Sequence, residues 1–235
     1  MRNMRTYDIV EYIREVKRCT IAQVMEQFNI SSATAHRDIN DLARRNIVER
    51  FRGGVAFRDA QGVKPGGSNF TDRAIANLSN KRAIAKKAVS YVSDGDILFL
   101  DSSTTVLEFA LELCKHDFLR LTIVTNSVSI MQEFHRFPSH WVLIGLGGTY
   151  DHQLNSFIGS DTRRQLDDFC ITKSFVSAFG LNSKIATTNH ERQVELIKTV
   201  LERTESRFLL VDKSKLGRTG LYRLSARGTF DTIIS

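Results

Sequence analysis

Apolar residues in the first part of the chain recur at helical spacing. Over residues 5–16, Ile9, Ile13 and Val16 share one face with Val10 beside them, which predicts a helix. Thr20 opens a second helix and has Gln23 three residues later, the spacing of a capping box. Ala22, Val24, Met25 and Phe28 are its apolar positions, and it stops near Asn29. Ile30 is an apolar plug, and Ser31 can cap a third helix over residues 32–45. Ala35, Ile39 and Leu42 turn inward there, while Ser32, Ala33, His36, Arg37 and Asn40 are left outward. Residues 47–51 and 55–57 then read as two strands around the turn Arg52-Gly53-Gly54.

Two short helices, a tight turn and a third helix with a polar outer face make a helix-turn-helix. Such a third helix lies in the major groove, with its N-terminal residues at base edges. Ser32 and Ala33 are small enough for close approach. Arg37 can donate to guanine or phosphate, and His36 and Asn40 can read edges or phosphates. Periodicity alone fits an ordinary helical bundle with a solvated polar face equally well. The hairpin favours the first reading, because it stands where a wing would. Its Arg50 and Arg52 would then sit near phosphates or a minor groove; in a plain hairpin they are solvated.

Residues 58–69 have the glycine, proline and serine content of a linker. Beyond them strands and helices alternate. Residues 80–92 form a basic amphipathic helix with Ile84, Ala85, Ala88 and Val92 inward. Apolar runs end at Asp101, Thr125, Gly145 and Asp212, with helical stretches between them. Residues 230–235 close the chain as a strand. This alternation predicts an α/β fold with a mainly parallel sheet covered on both faces. Ligands of such sheets bind beyond the carboxyl ends of the strands. Polar residues collect there: Asp101, Ser102, Ser103, Thr104 and Thr105; Asn126 and Ser127; Gly147 and Gly148; Lys213 and Lys215. Hydroxyls and free backbone N–H groups at a helix start suit a phosphate, lysine adds positive charge, and Asp101 can accept from sugar hydroxyls. Each group also has an ordinary reading, as a helix cap, a turn or a strand-end acceptor.

Composition narrows the function classes. The 42% hydrophobic and 25% charged content belongs to a globular protein rather than a disordered one. The chain of 235 residues allows one large domain or two ordinary ones. The net charge of +7 is concentrated at the N-terminus. Residues 1–58 hold 11 Lys and Arg against 7 Asp and Glu, while residues 59–235 hold 22 against 19. A basic head attracts the phosphate backbone of nucleic acid. Three scattered cysteines without a C-x-x-C pair support neither a disulfide framework nor a zinc site. No apolar run is long enough for a membrane span, and the N-terminus lacks an apolar signal core, so a cytoplasmic location is expected. No cofactor, metal site or membrane partner is expected.

The stretch ISSATAHRDINDLARRNIVERFRGGV resembles the helix-turn-helix signature of the DeoR family of repressors. Ile30, Ser31, Thr34, Arg37, Asp38, Ile39, Leu42, Arg50, Gly53 and Gly54 carry the likeness. Ala35, His36 and Arg52 depart from it, which bears on the DNA sequence preferred. The second domain resembles the DeoR-type sensor, which is similar to ribose-5-phosphate isomerase. Phe70, Arg73, Asn77, Lys81, Asp94-Gly95-Asp96, Leu100-Asp101, Thr104-Thr105, Thr125-Asn126-Ser127, Gly147-Gly148 and Asp212-Lys213-Ser214-Lys215 match its hallmarks. Ser103 stands where the family usually has glycine.

The resemblance implies a double-stranded DNA operator and a phosphorylated sugar as partners. The expected organisation is a winged helix-turn-helix over residues 1–58, a linker over 59–69 and an α/β sensor over 70–235. A palindromic operator requires a two-fold protein, so a homodimer or tetramer is expected. DNA contacts fall to Ser31, Ser32, Ala33, Thr34, His36, Arg37, Asn40, Arg50 and Arg52. Effector contacts fall to the strand-end residues above, with Lys215 rather than Lys213. Two other readings stay open: a sugar-phosphate isomerase-like enzyme with Asp101 as its acidic group, and a DNA-binding regulator whose sensor no longer functions.

Overall fold

A computed structural model describes residues 2–44, 47–58 and 70–235. Arg45 and the expected linker 59–69 lie outside the described residues. The chain divides into two compact units, Met1–Ala76 and Asn77–Ser235.

The first unit opens with α1 (Arg2–Val16), β1 (Arg18–Thr20), α2 (Ile21–Phe28) and α3 (Ser32–Arg44). Next come β2 (Val48–Phe51), β3 (Gly54–Phe57) and α4 (Phe70–Ile75). Thr20 and Gln23 form the full capping box at the start of α2. Asn29 ends that helix in the left-handed region at φ 47°, which asparagine tolerates better than most residues. Two residues later the Ser31 hydroxyl accepts from the Thr34 N–H at 3.3 Å and starts α3. The core joins Ile9, Ile13, Val24, Ala35, Ile39, Leu42 and Val55, all fully buried. Burial of each large aliphatic side chain is worth about 1.5–3 kcal/mol, and together they fix the outward face of α3.

Three expectations for this unit need correction. Val16 is 43% exposed; α1 ends there and its last residue leaves the core. Ala22 is exposed, and Ile21 takes its place in the core. Residues 70–75, expected with the second domain, form α4, which packs on α1, and Ile75 rests against the head core. The wing also has a third strand: β1 pairs antiparallel with β3, Cys19 opposite Val55.

The second unit runs α5 (Leu78–Val89), β4 (Ile97–Leu100), α6 (Thr104–Leu113), β5 (Thr122–Thr125), α7 (Val128–Glu133) and β6 (Val142–Gly145). It continues β7 (Thr149–Asp151), β8 (Ser156–Ile158), α8 (Ser160–Arg164), β9 (Ile171–Val176), β10 (Gly180–Leu181) and β11 (Ile185–Thr188). It ends α9 (Glu191–Glu202), β12 (Thr204–Leu210), β13 (Tyr222–Ala226) and β14 (Thr232–Ile234). Six strands form one sheet in the order β14-β12-β9-β4-β5-β6, and every neighbouring pair is parallel. The central strands are apolar runs, ILFL in β4 and TIVT in β5, and β9 and β12 become apolar toward their carboxyl ends. Phe99, Val124 and Leu209 pack with Leu196, Ile197 and Val200 of α9. Phe175 packs against Phe109 of α6 at 4.3 Å between ring centres and stacks on Phe208 at 4.7 Å.

Two antiparallel additions were not expected: the sheet β10-β11-β13 and the hairpin β7-β8. Among the described residues no helix is long and apolar enough to cross a membrane.

Candidate functional sites

The buried stripe of α3 leaves Ser32, Ala33, His36, Arg37 and Asn40 exposed on its other side. Ala33, His36, Arg37 and Asn40 line one open depression, extended by Ala43 and Arg44. Ser31 and Thr34 turn toward each other, with hydroxyls 3.0 Å apart. Arg50 reaches back from the wing, and its Nη1 donates to Asn40 Oδ1. Arg52 is exposed at the turn. Arg18 joins the basic surface from β1, its guanidinium 3.8 Å from the centre of the Phe51 ring.

Asp38 is an inward residue of α3 that the apolar periodicity does not mark. Its polar neighbours suggest a solvated position, yet it is buried. Arg5 of α1 donates Nε to its Oδ2 at 2.8 Å, and Arg37 Nε lies 3.9 Å from Oδ1. A buried carboxylate requires such partners. It ties α1 to α3 directly behind the exposed Arg37.

In the second unit, register gathers the strand ends. Leu100 pairs with both Thr125 and Phe175, and Thr125 pairs with Gly145. The residues that follow therefore stand side by side at one edge of the sheet. The chain runs from β4 to β5 and β6 on one side, then crosses to β9 on the other. The topological switch lies between β4 and β9, where sheets of this kind place their ligands.

Asp101 stands at that switch. Its Oδ1 accepts from the Ser103 N–H and its Oδ2 from the Ser177 N–H, both at 2.8 Å. Lys215 Nζ donates to the Ser177 hydroxyl at 3.1 Å. The structure thus joins Asp101 and Lys215 through Ser177, which the sequence did not single out. A lone serine inside an apolar run carries no local signal; only the pairing of β4 with β9 brings it to the site.

Burial pushes the Asp101 carboxyl above its usual range. The hydrogen bonds from Ser103 and Ser177 and the Lys215 charge oppose that rise. The folded state therefore holds the Asp101 proton more readily than the unfolded chain does. Ionisation then costs stability as pH climbs above the ordinary value of 3.8. In an Asp101→Asn variant this dependence is gone. Urea unfolding at about pH 4 and about pH 7 should show wild type losing stability relative to the variant at the higher pH. An unchanged difference would mean that Asp101 titrates normally.

The other expected positions divide. Ser103 caps α6, its hydroxyl accepting from the Val106 N–H at 3.2 Å. Ser127 caps α7 in the same way, through Ile130. Ser102, Thr104 and Thr105 are buried at the strand-to-helix turn. Asn126 donates to the Phe157 carbonyl at 2.9 Å, which fixes the β7-β8 hairpin to the end of β5. The buried Thr105 hydroxyl and Asn126 Oδ1 have no hydrogen-bond partner among the described residues. Leaving such groups unsatisfied costs about 1–3 kcal/mol each, and a ligand oxygen or hydroxyl at this edge can supply the missing bonds. Gly147 and Gly148 sit beyond β6, away from the switch. The Gln165 side chain bonds both polar groups of the Gly147 backbone. Gly148 has φ 143°, and a side chain there would strike Thr162.

Asn77 and Asp212, both expected hallmarks, support the Lys215 turn. Asn77 Nδ2 donates to the Ser214 hydroxyl at 3.0 Å, and the Ser214 N–H donates to Asp212 at 3.0 Å. Among the described residues no cluster of histidine, cysteine or acidic side chains could hold a metal ion.

Comparison with known proteins covers nearly the whole chain. Residues 5–61 match the model of the DeoR-like helix-turn-helix domain. Residues 76–235 match that of the DeoR C terminal sensor domain. The HTH-type transcriptional regulator IolR of Bacillus subtilis is 31% identical over 224 residues, 94% of this chain and 86% of that protein. The lactose phosphotransferase system repressor of Lactococcus lactis is 27% identical over 231 residues, 98% of this chain and 89% of that one. Among solved structures, ribose 5-phosphate isomerase A of Methanocaldococcus jannaschii aligns at 21% identity with a TM-score of 0.43. That alignment covers 60% of this chain and 55% of the isomerase, about half its length.

Proposed function

This chain belongs to the DeoR family of transcriptional regulators, and on that premise we propose that it represses carbohydrate genes by binding operator DNA under control of a phosphorylated sugar. The observation that carries the proposal is the outer face of α3, exposed as one polar surface and joined by a wing arginine. Ser32 and Ala33 admit the helix to the major groove. His36, Arg37 and Asn40 meet base edges, and Arg50 and Arg52 hold the wing near phosphate or the minor groove. Ser31 and Thr34 serve mainly by starting the helix.

The carbohydrate assignment rests on the sensor and on relatives that include a lactose phosphotransferase system repressor. Asp101, Ser102, Ser103, Thr104, Thr105, Asn126, Ser127, Gly147, Gly148 and Lys215 form the effector site and its frame. Asp101 and Lys215 take sugar hydroxyl and phosphate groups, and the buried Thr105 and Asn126 oxygens complete the contacts. The Ser103 and Ser177 N–H groups hold the Asp101 carboxyl in place, one on each oxygen, and each oxygen keeps a lone pair that can accept from a sugar hydroxyl. The protein works in the cytoplasm as a dimer or tetramer, matching a two-fold operator. The effector acts by binding one arrangement of that assembly better than another.

Two arginines test the DNA reading. Arg37→Ala should weaken operator binding by about 1–3 kcal/mol and relax preference at one base pair. Arg52→Ala should weaken binding evenly across sequences and reduce the salt slope by about 1. Titrations against a permuted operator set separate the two. Equal, sequence-blind losses would remove Arg37 from base reading.

A further inference from the structure

Asn40 and Arg50 lie on different elements, ten residues apart in sequence, and both are exposed. Exposed long side chains do not normally need one another. Here Arg50, on β2, gives a guanidinium N–H to the amide oxygen of Asn40, on α3. An asparagine amide offers an acceptor on one side and two donors on the other. Its orientation is set by its hydrogen bonds. The guanidinium has donors only, so it fixes the amide with oxygen toward the wing. The Nδ2 group is then left on the side away from Arg50, and His36 and Arg37 line the same depression as Asn40.

This orientation has a consequence for base reading. An asparagine that reads adenine uses both ends, accepting from N6 and donating to N7. With its oxygen held by Arg50, Asn40 presents its donor end. Acceptors in the major groove are purine N7, guanine O6 and thymine O4; adenine N6 and cytosine N4 are donors. We infer that Asn40 and Arg50 act as one specificity-determining unit, in which the wing arginine sets the asparagine amide to read an acceptor base edge. The inference rests on the DNA-binding function proposed above and deepens it. Arg50 is thereby a positioning residue for base recognition in addition to any phosphate it meets.

The test uses the full-length protein and a duplex selected by it from a random-sequence pool. Wild type, Asn40→Ala, Arg50→Ala and the double variant are titrated against that duplex and against its single base-pair permutations. Each single change should weaken binding by about tenfold. The double change should cost no more than the larger single one, because the two residues act together. Arg50→Ala should also shift preference toward adenine at the one base pair that Asn40→Ala makes indifferent, since the freed amide can then use both ends. Multiplying losses, with Arg50→Ala leaving every base preference unchanged, would overturn the pair while the DNA-binding function stands. Failure of wild type to select any sequence would overturn both. Circular dichroism of each variant shows whether the head is folded, and Arg50→Lys gives a second reading. Lysine keeps the charge and a donor for the Asn40 amide oxygen, so Arg50→Lys should retain the wild-type base preference that Arg50→Ala loses; a shift toward adenine in Arg50→Lys as large as in Arg50→Ala would count against the pair.

Discussion

Replacing Gly54 with alanine should cost the DNA-binding head about 2–3 kcal/mol and weaken operator binding at least tenfold. A Cβ at this position would collide with the Phe51 ring and lie 2.6 Å from the Cys19 carbonyl oxygen. The carbonyl belongs to β1, which pairs with β3 at this point, so it can move only if the wing sheet opens. The ring is held as well, because the Arg18 guanidinium covers it. Gly53 provides the control. It has φ 83° and nothing within 4 Å of a Cβ, so Gly53→Ala should cost only the conformational penalty, about 1 kcal/mol. Thermal unfolding followed by circular dichroism, with anisotropy on an operator duplex, should rank Gly54→Ala as the worse of the two. The reverse order would mean that the turn, and not the β1–β3 contact, limits the wing.

Asp101→Ala should have the second large effect, in the other unit. The carboxylate satisfies the N–H groups of Ser103 and Ser177 and faces the Lys215 charge. Its removal orphans two donors and takes away a negative charge that Lys215 faces. Together these should destabilise the unit by about 2–4 kcal/mol. Response to the effector should disappear, while protein that remains folded should still bind DNA. Urea unfolding and effector-induced release from DNA check the two parts separately. A variant as stable and as responsive as wild type would place the ligand elsewhere.

The head was legible because its signals are local. The Thr20–Gln23 capping box, the Ser31 cap and the Ala35-Ile39-Leu42 stripe each lie within one or two helical turns. What stayed hidden in it depends on distant partners. The sequence places Asp38 on neither face, and its burial is explained only by Arg5, 33 positions away, which bonds it. Strand β1 has only three residues, too few to show alternation, and is defined by pairing with β3. Ile21 replaced Ala22 in the core because the first residue after a cap can face either way.

In the sensor, the apolar runs announced a parallel sheet, and the polar residues that follow them stand along one edge of it. Strand order was not legible, and order decides which ends meet. Asp101 and Ser177 are neighbours only because β9 inserts beside β4. Gly147 and Gly148 follow the outer strand β6, and only Gly148 is required there by close packing, against Thr162. The hairpin β7-β8 and the sheet β10-β11-β13 were missed because their strands are short and mixed in polarity.

In the proposed function the exposed face of α3 and its wing bind a particular DNA sequence and release it when a sugar phosphate binds. Fluorescence anisotropy on a duplex selected by the protein, against a scrambled duplex over a range of salt, tests it directly. The expected result is binding roughly 10³-fold or more tighter to the selected duplex, falling steeply with salt and reversed by at least one member of a phosphorylated-sugar panel. Equal binding to both duplexes, unmoved by salt and by every sugar phosphate, would contradict the account.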